Sequence, residues 1–464
     1  MSLPAEKQAW SGRFAFLMAT VGSAVGLGSI WKFPYMVGAN GGSAFLFAYL
    51  AALVILILPL MIGEFVIGRR GGMGAVGSIA KVARESGASG VWSAVGAWGV
   101  LTGFLILSFY SVIGGWTVAY IPQALSNAFA GQSPEAIGAQ FSRLLADPIG
   151  LTFHHAIFMA LTAVVVARGV SEGIERAVTV LMPLMFAILI GLVVYAYSMA
   201  DMGKAVEFFF KPDFTKLTPE VVLSAIGLGF FSIGTGIGAM ITYAAYAPRD
   251  INLGTAAIFT IAADTFASFL AAFAIFPLVF AYGLNPGEGA GLMFTTLPIA
   301  FGQMAGGAFV GAAFFLLLVV SALASAISLL ELVVAWATDT LKVSRPLAAY
   351  VSAFVCWVIG IGTVLSFNHW STWYPLEGLP TFSNKSFFDV VDYLTSNIML
   401  PLGGIFLGLF VGWVMSKKSI FEELGIEDGP TWQLFRFLLG VVCPLVIFVL
   451  FVVNLGFVKL AIGD

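Results

Sequence analysis

The sequence predicts an all-α polytopic membrane protein of about 11 transmembrane helices, built as two five-span halves in a 5+5 inverted repeat, with helices 1 and 6 broken. Three observations predict it. The 464 residues are 60% hydrophobic and 10% charged, with a mean hydropathy of +1.00, far from the composition of soluble domains. Apolar stretches long enough to cross a bilayer recur along the whole chain. Two of them, five spans apart, are interrupted by glycines where a helix should be most regular.

The stretches fall at roughly 13–38, 43–68, 90–124, 151–167, 177–200, 219–246, 252–283, 309–341, 347–366, 390–415 and 433–458. The chain reads as one transmembrane domain over 1–464, with repeat one at about 10–200, repeat two at about 219–416 and an extra helix at about 433–458. The start, Met1 to Trp10, is polar and no small-residue cleavage site follows a short apolar core, so a retained first span is expected rather than a signal peptide. With the amino terminus placed in the cytoplasm, fourteen of the 21 Lys and Arg fall on the inner side, as the positive-inside rule asks. A net charge of -3 gives no nucleic-acid footprint. Cys356 and Cys443 lie within apolar stretches and form neither a metal spacing nor a disulfide framework.

The first span carries Gly22-Ser-Ala-Val-Gly-Leu-Gly-Ser-Ile-Trp-Lys-Phe-Pro34, with small residues followed by Lys32 and a helix-breaking proline. Inside a bilayer a break frees amides and carbonyls that lipid cannot satisfy, so it survives only where protein or a polar cavity supplies partners. The half-helix before the break offers carbonyls suited to a cation, and the half after it offers amides suited to an anion. Close packing of helices through small residues accounts for the same glycines equally well. The sixth span repeats the pattern, with five glycines between Gly227 and Gly238. Gly-interrupted spans at matching positions of two halves point to a secondary transporter with its substrate at mid-membrane. Because five is odd, the second half must be inverted relative to the first.

Gly22 to Pro34, Asn40-Gly-Gly-Ser-Ala-Phe45, Gly169-Val-Ser-Glu-Gly-Ile-Glu-Arg176, Phe230-Phe-Ser232 with Ile241-Thr-Tyr243, and Thr295-Thr-Leu-Pro298 together resemble the neurotransmitter:sodium symporter family. The resemblance runs from about Trp10 to the end of the tenth span and is nearest to the bacterial amino-acid branch with its leucine-transporter-like fold. Many relatives have twelve spans, where this chain has about eleven. It implies a sodium-coupled importer of amino acids, using one or two Na+ ions.

One sodium site, touching the substrate carboxylate, maps to the Ala24 carbonyl, Ser29, Ser232 and Asp264. Ser29 and Asp264 both replace a usual asparagine, so a full negative charge enters the site. Chloride-requiring relatives use the anion near this position, so the resemblance implies chloride-independent transport here. A second sodium site maps to the carbonyls of Gly22, Val25 and Ser321 and the hydroxyl of Ser325, with Ala324 where a ligand is usual. Gly26 stands where monoamine carriers place an aspartate, which favours an amino acid. Its carboxylate maps to the amides near Leu27 and Gly28 and to Tyr110, and its amine to carbonyls near Ser23, Ala24 and Phe231. The side-chain pocket maps to Ile106, Tyr110, Phe231, Ser232, Ile237, Ser325 and Leu329 with Gly234 at the turn, apolar enough for large hydrophobic or aromatic residues.

Gates follow from charge placement: Lys32 with Asp392 above the site, and Lys7, beside Trp10, with Asp339 and Tyr246 below it. Glu64 is expected to accept from the unwound backbone of the sixth span, while Glu331 has no assignable partner. Gly173 and Pro183 bracket a segment of the fifth span able to unwind. An intramembrane enzyme is disfavoured, since His154, His155 and His369 offer no ligand spacing, and the first two are expected at an interfacial helix end. A channel or a non-transporting amino-acid sensor on the same fold stays open. A bacterial inner membrane is implied by the short termini, lipid is the other partner, and the amino acid carried and the oligomeric state are unassigned.

Overall fold

The computed structural model describes residues 8–284, 287, 289 and 291–455; Lys7, one of the expected gate residues, lies outside them. Among the described residues every regular element is a helix and there are no strands. Nine continuous helices among those residues are long and apolar enough to cross a membrane, from Ser43–Gly71 to Pro430–Asn454. A bent pair, Arg13–Ala24 and Gly28–Ala39, turns by 53° at its break and forms the first span. The sixth span is Pro219–Ile233 followed, after five non-helical residues, by Ala239–Ala245. Those pieces give the eleven spans expected from hydropathy. The last of them begins at Pro430, a few residues ahead of the expected boundary, because a proline fits the first turn of a helix, where no backbone donor is needed.

Burial separates the centre from the lipid face. Within their most apolar windows 83% of the eighth span, Gly307–Leu341, and 72% of the third, Gly90–Leu125, are buried, against 28% for both the fifth, Val170–Met199, and the eleventh. The third and eighth spans pack along each other, and both broken spans contact the eighth. Large apolar side chains such as Val180 and Val194 on the fifth span, and Leu445 and Phe448 on the eleventh, are exposed on the outside, where lipid is the solvent.

At one end of the bundle the chain is tied by buried charge. Arg69, at the end of the second span, meets Glu423 at 2.6 Å, and both side chains are almost fully buried. Arg249 reaches the same carboxylate at 2.8 Å, and Arg70 joins Glu85 at 2.7 Å and Glu422 at 2.5 Å. The short helix Lys417–Leu424 is thereby fixed to the second span and to the loop before the seventh span, Leu253–Ala281. Removing one partner of such a pair leaves a buried charge uncompensated. Glu423→Ala is therefore expected to lower stability by about 3–5 kcal/mol, read as a lower midpoint of thermal unfolding in detergent, while Glu422→Ala, whose pair is exposed, costs below about 1 kcal/mol.

Candidate functional site

The first half of span one ends at Ala24, and Val25 takes an extended conformation with ψ 97°. The groups freed there find partners at once. The Leu27 amide donates to the Tyr110 hydroxyl at 3.2 Å, and the Ser325 hydroxyl donates to the carbonyls of Gly22 at 3.5 Å and Ser23 at 3.4 Å. Gly26 faces this junction with no room to spare: a Cβ there would sit 2.4 Å from the Ser325 hydroxyl and 2.9 Å from that of Tyr110. The glycine is required by this approach, since any larger side chain would enter the space between the first, third and eighth spans.

The sixth span breaks by backbone sign. Gly234, Gly236 and Gly238 have φ of 70°, 99° and 83°, a region open to glycine and costly for other residues. The freed Gly236 amide donates to Glu64 Oε1 at 2.6 Å, the role expected for Glu64. The other Glu64 oxygen has no partner among the described residues. The two breaks meet: a Cβ on Gly28 would lie 2.8 Å from the Ser232 Cα.

Between them sits Asp264 of the seventh span, fully buried. The Ser29 hydroxyl donates to its Oδ1 and lies 3.0 Å from the Ser232 hydroxyl, which is itself 3.5 Å from that oxygen. The Tyr49 hydroxyl donates to Oδ2 at 3.4 Å. No cationic side chain pairs with Asp264 among the described residues. A buried carboxylate held only by hydroxyls retains most of its desolvation cost, and a small hard cation bound through oxygen is the partner that would offset it. Hydroxyls and a carboxylate beside freed carbonyls are a donor set that fits Na+. Tyr49 was not legible as part of this group, because one tyrosine in an apolar helix carries no signal in the sequence.

A cavity of about 50 Å³ lies at the junction. Ser23, Gly26, Gly28, Ile106, Tyr110, Phe231, Ser232, Gly234, Ile237, Ser325 and Leu329 all line it, as mapped, joined by Ile233, Ala239, Ser328 and Leu400. Ala24 and Leu27 do not line it; both are buried in packing, and only the Leu27 amide points to Tyr110. On the second mapped cation site, Ser321 and Val25 are buried and Ala324 packs against Gly22, at 3.4 Å from a Cβ there.

The gate residues are arranged differently from the expected pairs. Lys32 and Asp392 line one vestibule above Phe231 without forming an ion pair. The Lys32 ammonium lies 3.8 Å from the Phe231 ring centroid, and Asp392 Oδ1 accepts from the Ser396 hydroxyl at 2.9 Å. A lysine is a single point charge and lacks the fork with which an arginine serves two partners. At the other end the Trp10 indole donates to the Tyr243 carbonyl at 2.9 Å, and its amide to the Tyr246 carbonyl at 3.1 Å. Asp339 accepts from the Gly74 amide at 2.7 Å. Glu331, left without a partner by the sequence, accepts from Tyr246 at 2.9 Å and pairs with Arg345. Gly173 and Pro183 both sit inside helical turns of the fifth span. His155 is fully buried against Ser111 at 2.9 Å, a correction to its expected interfacial place; the fourth span begins at Pro148, which puts His155 two turns deep.

The family model described as the sodium:neurotransmitter symporter family matches residues 7–136 and 139–461. This chain belongs to the sodium:neurotransmitter symporter family. Among relatives of the symporter, an uncharacterized sodium-dependent transporter of Bacillus subtilis, YhdH, is 36% identical, covering 96% of this chain and 97% of its own. One of Haemophilus influenzae is 32% identical over 97% and 98%. The crystal structure of MhsT in complex with L-phenylalanine superposes with a TM-score of 0.87 at 39% identity, over 96% of this chain and 99% of that one.

The Glu64 contact gives a test that needs no substrate. Glu64→Ala is expected to leave the buried Gly236 amide unpaired and to destabilise the symporter by about 1–3 kcal/mol, measured by thermal unfolding, whereas Glu64→Gln, which still offers an oxygen to that amide, retains most of the stability.

Proposed function

We propose that this chain imports amino acids, large hydrophobic or aromatic ones, by sodium-coupled alternating access. The observation that carries the reading is the junction of the two breaks, where freed backbone, a buried Asp264 with no cationic side-chain partner among the described residues and a glycine-floored cavity stand side by side. A substrate carboxylate would lie over Gly26 against the Tyr110 hydroxyl and share a sodium ion held by the Ala24 carbonyl, Ser29, Ser232 and Asp264. The cavity wall of Ile106, Phe231, Ile237 and Leu329 offers no charge to a side chain, which suits an apolar one. MhsT is described with L-phenylalanine, and a 26% identical relative covering 59% of this chain is a sodium-dependent neutral amino acid transporter of cattle.

A second sodium ion would take the carbonyls of Gly22, Val25 and Ser321 and the Ser325 hydroxyl, with one ligand fewer because of Ala324. Asp264 supplies a fixed negative charge beside the first ion, so chloride is not required. Ions and substrate drive the cycle by binding the occluded state more tightly than the open ones, and neither shifts the equilibrium without that difference. The chain lies in a bacterial inner membrane with its amino terminus in the cytoplasm, so the Trp10 and Asp339 contacts close the inner face and Lys32, Phe231 and Asp392 the outer. Repeat one, about 10–200, and repeat two, about 219–416, form the moving halves, and the Gly173 and Pro183 segment of the fifth span unwinds as the inner face opens.

Uptake of radiolabelled leucine, phenylalanine, tryptophan and tyrosine into proteoliposomes tests the reading. Saturable accumulation that needs an inward sodium gradient and persists when gluconate replaces chloride is expected. Binding without accumulation would make the protein a sensor, and flux without saturation a channel. Asp264→Asn is expected to retain uptake only when chloride is present. Gly26→Ala, which places a methyl group in the carboxylate position, is expected to weaken substrate binding by about five- to hundredfold with the sodium requirement unchanged.

A further inference from the structure

A second cavity, of about 520 Å³, opens between the third, eighth and ninth spans, away from the breaks. The ninth span is Arg345–Ser366. Leu101 and Phe104 of the third span, Trp336 of the eighth and Leu347, Val351 and Val355 of the ninth line it. Of its lining residues only Ser352 and Trp336 carry a polar side-chain atom. Leu101 and Val351 are about half exposed, at 49% and 51%, so the cavity is a groove open to the membrane and not an internal void. We infer that this groove seats one acyl chain of an anionic phospholipid whose headgroup phosphate is held by Lys342.

Three independent features support the assignment. The first is chemistry: in the hydrocarbon region water cannot fill an apolar groove without losing hydrogen bonds, and an empty one forfeits dispersion contacts along its walls. The second is length. Along the ninth span the lining residues run from Leu347 to Val355, eight residues or about 12 Å at 1.5 Å per residue. That length fits within one leaflet of a hydrocarbon core of about 30 Å, where a single acyl chain lies.

The third is charge at the mouth. Lys342, exposed and left-handed with φ 58°, ends the eighth span between Leu341 and Val343, both of which line the groove. Its charged neighbours are engaged: Asp339 takes the Gly74 amide, and Arg345 is paired with Glu331. Lys342 has no hydrogen bond or ion pair among the described residues. An unengaged cation at the end of a span is one that an anionic lipid surface attracts. A chain in the groove would pack on Trp336 and Leu341, on either side of the turn that carries Asp339, and so brace the closure of that end of the bundle.

Native mass spectrometry of the detergent-solubilised full chain, titrated with phosphatidylglycerol or phosphatidylcholine of matched acyl length, tests this. One phosphatidylglycerol is expected to be retained preferentially. Lys342→Gln is expected to bind phosphatidylglycerol about fivefold more weakly and to lose the preference over phosphatidylcholine. Val351→Trp, which fills the groove from its exposed lip, is expected to lose both lipids at an unchanged unfolding midpoint. Equal retention of the two lipids by the wild type, retention unaffected by Val351→Trp, or a dimer appearing in place of bound lipid would overturn the assignment.

Discussion

Every peculiarity of the centre of this protein follows from one constraint: a helix that stops half-way across a bilayer must find partners for the groups it frees. The first span solves this with side chains from the spans it leans on, Tyr110 for the Leu27 amide and Ser325 for the Gly22 and Ser23 carbonyls. The sixth span solves it with Glu64. Each break takes partners from other spans as well as from its own turns, so both broken helices are tied to those spans. The most buried spans, the third and eighth, are therefore the ones that carry Tyr110 and Ser325.

Buried charge is handled in two contrasting ways. Glu331 has a full complement, an arginine and a tyrosine hydroxyl, and Glu423 has two arginines. Such pairs lock helices together at a cost already met by their partners. Asp264 is different. It is as deeply buried as Glu331, yet it has only the hydroxyls of Ser29, Ser232 and Tyr49. A carboxylate left short of positive charge among oxygen donors is a latent cation site, and the contrast with its paired counterparts identifies the place where an ion from solution is needed.

Much of this was legible in the sequence because glycine and hydropathy are loud signals inside a membrane. The eleven spans followed from apolar length, and both breaks followed from glycines at mid-span. Side chains whose role depends on a distant partner were silent. Tyr49 looks like any aromatic in an apolar helix until the seventh span brings Asp264 beside it. Glu331 was visibly costly but mute about Arg345, fourteen positions on and across a helix turn. His155 was misread because the fourth span begins earlier than hydropathy marks it, at Pro148. Lys32 and Asp392 were expected to pair and do not: both line one vestibule, and the Lys32 ammonium rests instead on the Phe231 ring, whose direction no spacing encodes.

That ring also connects the vestibule to the site. The cavity at the breaks, about 50 Å³, has room for a water molecule or two and not for an aromatic side chain. Phe231 lines both the cavity and the vestibule, and the Lys32 ammonium rests 3.8 Å from the centroid of its ring. Enlarging the cavity by turning Phe231 therefore breaks a cation–π contact worth about 0.5–2 kcal/mol and frees Lys32 to approach Asp392 across the vestibule. A substrate too large for the present cavity would have to offset the loss of that contact through contacts of its own.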